Sequence, residues 1–349
     1  MIEIDGSAGE GGGQILRTAL SLSCLFNRPF RIFNIRKGRR NPGLMPQHLA
    51  GVRALKLLSD AEVSGDQKGS TELTFSPGRL RAEDFSFVIG TAGSTMLLLQ
   101  TVVPALIRAG RKTRIELRGG THVPFSPPFH YVSEIFVPVL ARMGIAMDLH
   151  LASYGFYPKG GGMVRAVISP ARELRPLQMP GRGRIVDIRG FSCAASLPLS
   201  VAERQRSAAV KKICASLPDS GCPVEVEAAA AEASGAGTFI FLKAESANAA
   251  AGFSALGERG KPAEIVGEEA ARDLIDYYRS GQALDAYLPD QIVLYLSMCR
   301  GESAFTTSRI TNHLLTNLRV INLFNPFQWT VEGEEGGPGK VIIRGRGDS

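Results

Sequence analysis

The sequence predicts an α+β fold in which a βαβαββ unit recurs along the chain. Strands with period-two apolar residues alternate with helices that carry an apolar stripe, and this pattern returns after about 70 to 80 residues. The composition shifts near residue 184, and the earlier pattern resumes near residue 281. We therefore expect a large discontinuous domain, 1–183 plus 281–349, with a smaller α/β domain inserted at 184–280.

The first stretch joins an alternating strand to an apolar-striped helix through a glycine loop, and aromatic residues and isoleucines mark its second strand. The predicted elements are a strand over 1–5, a helix over 14–25, a strand over 29–36, a helix over 46–58 and a strand over 71–75. The second stretch repeats this order. It predicts helices over 87–108 and 129–143 and strands over 114–117, 145–151 and 163–168.

The remaining elements follow the same reasoning. Within the inserted region we expect helices over 202–217 and 268–279 and a strand over 238–244. A helix beginning at Tyr287 opens the region that resumes the earlier pattern, and one strand over 340–344 lies in the glycine-rich, charged tail.

The composition is that of a folded globular protein. With 44% hydrophobic and 21% charged residues, a disordered chain, a coiled coil and a fibre are excluded. The five cysteines are scattered without a C-x-x-C pair, which favours reduced thiols in an intracellular protein. The acidic, alternating start is no signal peptide, and polar residues with Pro104 interrupt the most apolar stretch, 87–107. We therefore expect a cytoplasmic protein that does not engage a membrane.

The formal net charge of +7 permits a polyanionic partner. Much of the positive charge lies in one segment between Arg28 and Arg40. Arginine forks match the geometry of phosphate groups, so this segment is a candidate for contact with a nucleic-acid backbone. A solvated basic loop explains the same residues equally well.

The glycine loop at 9–14 lies between a predicted strand and a predicted helix, where free backbone N–H groups can bind an anion. It is not a dinucleotide fingerprint, because Gln14 stands where the last glycine should be, and the chain has no phosphate-loop motif G-x-x-x-x-G-K-[ST]. A carboxylate in such a loop, Glu10, suggests a Mg²⁺ ligand. The alternative is a tight turn with a solvated glutamate.

The histidines form no metal-binding or two-histidine catalytic pattern. His313 differs in context, since polar residues bracket an apolar pair beside it, yet the residue pattern alone fits a structural role as well. Asp290 and Gln291 are expected in the first turn of a helix, where a carboxylate is favoured by the helix dipole. Ordinary helix entry explains this pair too.

Together these segments resemble the RNA 3′-terminal-phosphate cyclase family from residue 1 to about residue 344. The motifs that carry the resemblance are GEGGGQILR at 9–17, PGL at 42–44 with QHL at 47–49, GFYPKGGG at 155–162, YLPDQ at 287–291 and HLLTN at 313–317. One departure is Tyr154, where the family usually has arginine or histidine. The resemblance implies three βαβαββ repeats and a smaller α/β domain inserted before the last part.

The resemblance also implies a reaction. In this family a histidine attacks the α-phosphate of ATP and forms a covalent histidine–AMP, and the AMP then moves to an RNA 3′-phosphate. The neighbouring 2′-OH closes a 2′,3′-cyclic phosphate and expels AMP. A neutral imidazole is nucleophilic near pH 7, which suits this role. The expected partners are ATP, an RNA with a 3′-phosphate end, and Mg²⁺ or Mn²⁺.

The same resemblance assigns roles to individual residues. The nucleophile is His313 and the metal ligand is Glu10. Residues expected around the phosphates or the RNA end are Arg17, Arg36, Arg39 and Gln47. Tyr287 and Pro127 should sandwich the adenine, and the rest of the ATP should be held by Gln100, Asp290 and Gln291 in the segment that also includes Leu288 and Pro289.

Two other readings remain. A cyclase-like protein without chemistry could act as an RNA-binding scaffold in ribosome biogenesis, but such relatives lack the histidine that is present here. A small-molecule transferase could use the same repeats, as enolpyruvyl transferases do, so the fold alone does not settle function. The basic segment argues against this second reading. The natural RNA substrates and the oligomeric state are not predicted by the sequence.

Overall fold

The N-terminal part of the chain forms a four-stranded sheet in the computed structural model, which describes residues 1–218 and 220–346. Its elements are β1 (Ile2–Asp5), α1 (Gly13–Phe26), β2 (Phe30–Phe33), α2 (Pro46–Ser59), β3 (Glu62–Ser64) and β4 (Leu73–Ser76). The strand order is β1-β2-β4-β3, with β1 parallel to β2 and the other two pairings antiparallel. Parallel neighbours need a crossover, which α1 supplies.

The second sheet repeats this arrangement. Its elements are β5 (Phe85–Val88), α3 (Thr95–Leu106), β6 (Thr113–Gly119), α4 (Phe129–Tyr131), a π-helical turn (Val132–Phe136), α5 (Val137–Arg142), β7 (Met147–Ser153) and β8 (Gly162–Ile168). The strand order is β5-β6-β8-β7, and again only the first pair is parallel.

The predicted helix over 87–108 is wrong at its start, because this part of the apolar run is a strand. Phe85, Phe87 and Ile89 are buried, whereas Val88 is 68% exposed, which is the period-two pattern of a strand. The helix begins only after Ser94, whose side chain accepts a hydrogen bond from the Leu97 N–H at 3.2 Å.

The third sheet is assembled from two separated parts of the chain. In chain order, the remaining elements are β9 (Gln178–Met179), β10 (Ile185–Ala195), α6 (Leu199–Ser216), β11 (Val224–Ala231), β12 (Gly237–Ser246), β13 (Ala250–Leu256), α7 (Ala263–Ser280), α8 (Leu288–Leu296), β14 (Arg300–Thr307), α9 (Asn312–Phe324), β15 (Gln328–Gly333) and β16 (Gly339–Arg346). The sheet has the order β9-β14-β16-β15, with β9 parallel to β14 and the other pairings antiparallel. All three sheets therefore share one topology, and the α+β class is confirmed.

The segment between β9 and α8 forms a fourth sheet of order β11-β10-β12-β13, with its own hydrophobic core against α6 and α7. Its opposite face, including Phe239 and Phe241, joins the main core. The exact domain boundaries at residues 183 and 281 stay a prediction. Across the described residues, no helix has both the length and the apolarity needed to cross a membrane.

The packing of the helices brings the starts of α1, α2 and α9 close together. Helix α1 packs against α2, α3 and α9, and α8 packs against α9. As a result the N terminus of α1 lies between the first turns of α2 and α9, at the glycine loop.

Candidate active site

The glycine loop between β1 and α1 is docked against α9. Gly9 has φ of 59°, and a side chain at this position would collide with the Thr316 hydroxyl. The next residue, Glu10, donates its backbone N–H to Thr316 Oγ1 at 3.0 Å. The loop therefore places Glu10 beside the helix that carries His313.

His313 is the second residue of α9 and faces the glycine loop. The helix begins after Thr311, whose Oγ1 accepts a hydrogen bond from the Leu314 N–H at 3.1 Å. His313 Nδ1 is hydrogen-bonded to Gln14 Oε1, and His313 Nε2 lies 3.9 Å from Glu10 Oε1. With its side chain 48% exposed, the imidazole is open to a substrate.

Gln14 fixes which imidazole nitrogen carries the proton. Its Nε2 donates a hydrogen bond to Asp290 Oδ2 at 2.8 Å, so its Oε1 is left to accept from His313 Nδ1–H. In the neutral ring the lone pair is then on Nε2. No role for Gln14 in orienting a histidine is predicted from sequence, because its partners are far away along the chain.

Asp290, in the first turn of α8, is hydrogen-bonded to both α1 and α9. Its backbone carbonyl accepts from Asn317 Nδ2 at 2.7 Å, and Asn317 Oδ1 accepts from the Thr18 hydroxyl at 2.7 Å. Burial raises the pKa of Asp290, while the hydrogen bond from Gln14 and the nearby His313 and Arg17 oppose this rise. Thr18 was not singled out from the sequence, and Asn317 was quoted only within the motif at 313–317.

Glu10 has one carboxylate oxygen in an ion pair and one without a partner. Arg39 pairs with Glu10 Oε1 and also donates from Nη2 to the Glu10 carbonyl oxygen at 3.2 Å. Glu10 Oε2 is buried and has no hydrogen-bond partner. Because no group of three or more His, Cys, Asp or Glu in the described residues could hold a metal ion, a cation here would need further oxygens from a substrate or water. This suits Mg²⁺, which commonly takes one or two carboxylates plus phosphate oxygens.

The expected phosphate-binding residues differ in their surroundings. Burial lowers the pKa of Arg17 to about 10, opposed by Glu10 and Asp290, so Arg17 stays charged at neutral pH. Arg36 instead donates from Nη1 to the carbonyl oxygens of Asn41 at 2.6 Å and Gly43 at 3.0 Å, which holds the basic loop in shape. The structure thus brings Arg17 and Arg39 to the glycine loop, while Arg36 is engaged by its own loop.

Gln47 lies in the first turn of α2 and reaches the start of α3. Its Nε2 donates to the carbonyl oxygen of Ser94 at 3.2 Å. Gln47 therefore links the starts of α2 and α3 and already has a hydrogen-bond partner.

The residues expected to hold ATP meet between α3 and α8. Gln100 Nε2 donates to Gln291 Oε1 at 2.5 Å, and Gln291 Nε2 donates to the Tyr287 carbonyl oxygen at 2.7 Å. Tyr287 is 52% exposed, as a ring that stacks on a base would be. Leu288 and Pro289 are buried, so their side chains face the core.

Pro127 belongs to the loop before α4, and hydrogen bonds through Asp285 connect α4 to the segment that contains Tyr287. Asp285 Oδ1 accepts both from the Tyr131 hydroxyl and from the Tyr287 N–H, each at 2.8 Å. This shared carboxylate holds the two segments in register. A direct stacking arrangement of Pro127 and Tyr287 around adenine stays a prediction.

A family model and curated relatives that match this chain all carry the same family description. The family model described as RNA 3′-terminal phosphate cyclase matches residues 8–331. The chain is 46% identical over 353 residues to the RNA 3′-terminal phosphate cyclase of Methylococcus capsulatus (strain Bath), covering 99% of this chain and 97% of the relative. It is 45% identical over 342 residues to the protein of that name from Thermococcus kodakarensis, covering 98% of each.

Among solved structures, the enolpyruvyl transferase NikO from Streptomyces tendae matches with a TM-score of 0.40 and 11% identity. The match covers 99% of this chain and 48% of that one, so the chain spans about half the length of NikO.

Proposed function

Since this chain belongs to the RNA 3′-terminal phosphate cyclase family and is an enzyme of that kind, we propose that it works through a covalent AMP on His313. The family implies ATP as co-substrate and an RNA 3′-phosphate as the group that is cyclised. The observation that supports the proposal is the open imidazole of His313, with Nδ1 engaged by Gln14 and Nε2 facing the glycine loop.

In the first step His313 Nε2 attacks the α-phosphorus of ATP. A P–N bond forms, the bond from that phosphorus to the bridging oxygen breaks, and pyrophosphate leaves with the bond's electrons. The proton on Nδ1 remains there, hydrogen-bonded to Gln14 Oε1, and this contact stabilises the positive charge that develops on the ring.

In the second step an oxygen of the RNA 3′-phosphate attacks the phosphorus of the histidine–AMP. The P–N bond breaks and the neutral imidazole is restored, giving RNA-(3′)pp(5′)A. The terminal 2′-oxygen then attacks the RNA phosphorus, loses its proton to solvent, closes the 2′,3′-cyclic phosphodiester and expels AMP. Because the RNA phosphate carries its own activating AMP, this last step needs no further nucleophile from the protein.

Residues around the glycine loop would offset the negative charge of the ATP and RNA phosphates. Arg17 and Arg39 supply positive charge, and Gln47 with Arg36 borders the path of the RNA end. Glu10 would hold Mg²⁺ or Mn²⁺ through its unpartnered oxygen. When bound, the ion supplies positive charge that offsets negative charge on phosphate oxygens. Arg39, which pairs with Glu10 here, is then free to turn toward phosphate.

The nucleoside part of ATP is proposed to lie toward α8. Tyr287 and Pro127 would enclose the adenine, while Gln100, Asp290 and Gln291 would hold the rest of the nucleotide. Since Leu288 and Pro289 bury their side chains, they would contribute only backbone groups. We also propose a cytoplasmic location, which the free cysteines Cys24, Cys193, Cys214, Cys222 and Cys299 support.

The proposal is tested with an end-labelled RNA that carries a 3′-phosphate, incubated with ATP and MgCl₂. The expected result is an end that resists phosphatase, formed together with AMP and pyrophosphate, while RNA ending in a 3′-hydroxyl is unchanged. Binding of the RNA without ATP-dependent resistance to phosphatase would support the scaffold reading instead.

A further inference from the structure

Two exposed aromatic rings lie on loops of the second unit, one between β6 and α4 and the other between β7 and β8. Phe125 is 103% exposed and Tyr157 is 68% exposed. Burial of such a ring usually stabilises a folded chain, but Phe125 contributes none of this stabilisation and Tyr157 contributes little of it. Single exposed apolar residues are common on protein surfaces. These two rings differ from that ordinary case in their shared position and in the backbone of Phe125.

Backbone contacts hold the two loops side by side. The Gly155 carbonyl oxygen accepts a hydrogen bond from the His122 N–H at 3.1 Å. His122 and Phe156 form a parallel β-bridge, so the chain leaves the bridge in the same direction after each of them. Phe125 follows His122 by three residues, and Tyr157 directly follows Phe156. The two rings therefore belong to one surface.

The backbone at Phe125 is strained, and the loop around it is stiff. Its φ of 61° is unfavourable for a residue with a bulky side chain. Pro124 and Pro127 fix their own φ angles on either side, and the Ser126 hydroxyl donates to the Val123 carbonyl oxygen at 3.0 Å. Strain that presents a ring to solvent indicates a role outside folding. A ring fixed in this way also loses little conformational entropy on binding.

This surface borders the proposed nucleotide site. Pro127, which is proposed to contact the adenine, is two residues from Phe125, so their Cα atoms are at most about 7 Å apart. At the start of the same loop, the Gly120 N–H donates to the Gly93 carbonyl oxygen at 2.7 Å. Gln47, which borders the proposed path of the RNA end, donates to the carbonyl oxygen of the next residue.

The chemistry of the surface suits a single RNA strand. Segments 120–128 and 154–162 contain no Asp or Glu, and Lys159 is exposed two residues after Tyr157. Single-stranded RNA offers bases that stack on aromatic rings and phosphates that a lysine can contact. We propose that Phe125 and Tyr157 form a stacking surface for the bases that precede the terminal nucleotide of the RNA. This role rests on the proposed function, in which the RNA 3′-phosphate reaches the glycine loop.

Three substitutions separate the Phe125 ring from its backbone. Phe125→Ala removes the ring and keeps the strained φ, Phe125→Gly removes both the ring and the strain, and Phe125→Trp keeps an aromatic ring. If the ring serves binding rather than folding, Phe125→Gly should unfold at a temperature no lower than Phe125→Ala. The matched control is Leu323→Ala, because Leu323 is 45% exposed at the end of α9 that lies away from His313.

The experiment measures equilibrium binding of RNA that ends in a 3′-phosphate, without ATP. One ligand is a fluorescent single strand of about 12 nucleotides, and the other is the terminal nucleoside 3′-phosphate alone, measured by competition. We expect Phe125→Ala, Phe125→Gly and Tyr157→Ala to weaken binding of the strand about 10-fold and of the nucleoside 3′-phosphate by less than about 2-fold. Phe125→Trp should restore binding of the strand, and Leu323→Ala should bind as the wild type does.

A second series removes one base at a time from the strand. The wild type should lose affinity where the removed base stacks, and Phe125→Ala should lose nothing further at that position, because the two changes remove the same contact. Fully additive losses at every position would overturn the proposal.

Equal affinity of Phe125→Ala and the wild type for the strand would also overturn it and would favour a protein partner for the exposed rings. If Phe125→Ala slowed labelling from α-labelled ATP as much as it weakened strand binding, the ring would serve ATP, and the proposal would fail as well. These outcomes leave the proposed function intact. A wild-type protein that binds neither ligand would count against the proposed function itself.

Discussion

Gln14 separates the imidazole of His313 from the carboxylate of Asp290. Its amide accepts from His313 Nδ1 on one side and donates to Asp290 Oδ2 at 2.8 Å on the other. A carboxylate in direct contact with an imidazole favours the protonated ring, which is not nucleophilic. The neutral amide orients the ring without adding this charge.

Replacing Gln14 tests this separation. Gln14→Glu places a carboxylate beside the imidazole and should move the acid limb of the pH profile of protein adenylylation to higher pH. Gln14→Ala should slow adenylylation about 10-fold by releasing the ring, without that displacement of the acid limb. The measurement is the rate of labelling from α-labelled ATP between pH 5 and pH 9, a range of about two units either side of neutrality.

The matched control is Gln328→Glu, because Gln328 is exposed at the start of β15, away from the glycine loop. It should leave the profile unchanged. An unchanged profile for Gln14→Glu as well would contradict the orienting role.

Glu10→Gln should raise the concentration of MgCl₂ needed for half-maximal labelling. The substitution keeps the size of the side chain but removes the charge of the unpartnered buried oxygen. A titration of labelling rate against Mg²⁺ measures the effect, with Glu62→Gln on the exposed strand β3 as the control. The same half-maximal concentration in Glu10→Gln and the wild type would remove Glu10 from the metal site.

Arg39→Ala should weaken binding of RNA with a 3′-phosphate about 10-fold more than binding of the same RNA with a 3′-hydroxyl. The reason is that Arg39 is beside Glu10 at the glycine loop, where the terminal phosphate would bind. Arg40 is the control. It follows Arg39 in the chain, is exposed, and has no ion pair among the residues that the structure describes. Arg40→Ala should affect both RNAs equally, and the same equal loss in Arg39→Ala would argue against end recognition.

The partly buried His130 should make the stability of the protein depend on pH. Burial lowers its pKa from 6.5 to about 4. Between these values the unfolded chain holds a proton at His130 that the folded chain does not, so the free energy of unfolding falls as the pH falls through this range. The stabilisation is fully present above pH 6.5 and is lost progressively toward pH 4.

Denaturant unfolding between pH 4 and pH 7 measures this slope, a range that includes the titration of His130. In His130→Gln the slope should be smaller by about 1.4 kcal/mol per pH unit, which corresponds to one proton. His150→Gln, on the exposed side of β7, is the control for removal of a histidine. Equal slopes for His130→Gln and the wild type would show that His130 is not the group that takes up the proton.

The local parts of the site could be predicted from sequence. The glycine loop at a strand–helix junction follows from period and turn residues, because these signals span only a few positions. The contacts that orient His313 could not be predicted in this way. Gln14 is 276 positions from Asp290 and 299 positions from His313, and no periodicity reports on such pairs.

Two further features, the roles of the arginines and the strands of the third sheet, could also not be predicted from local sequence patterns. Arg36 and Arg39 are equivalent charges in sequence, but Arg36 has φ of 54° and turns its guanidinium onto the carbonyls of Asn41 and Gly43. Strand β9 has only two residues, too few for a period, although it completes the third sheet. The role of Arg36 and the formation of β9 both depend on contacts in the folded chain that short sequence patterns do not report.

The covalent role of His313 is tested most directly by digesting the protein after incubation with α-labelled ATP and MgCl₂ and mapping the label. We expect one labelled peptide containing His313, with a bond that is labile in acid and stable in alkali, as a phosphoramidate is. We also expect His313→Ala to unfold at the same temperature as the wild type and to carry no label. Label on His313→Ala, or on any other residue of the wild type, would contradict it.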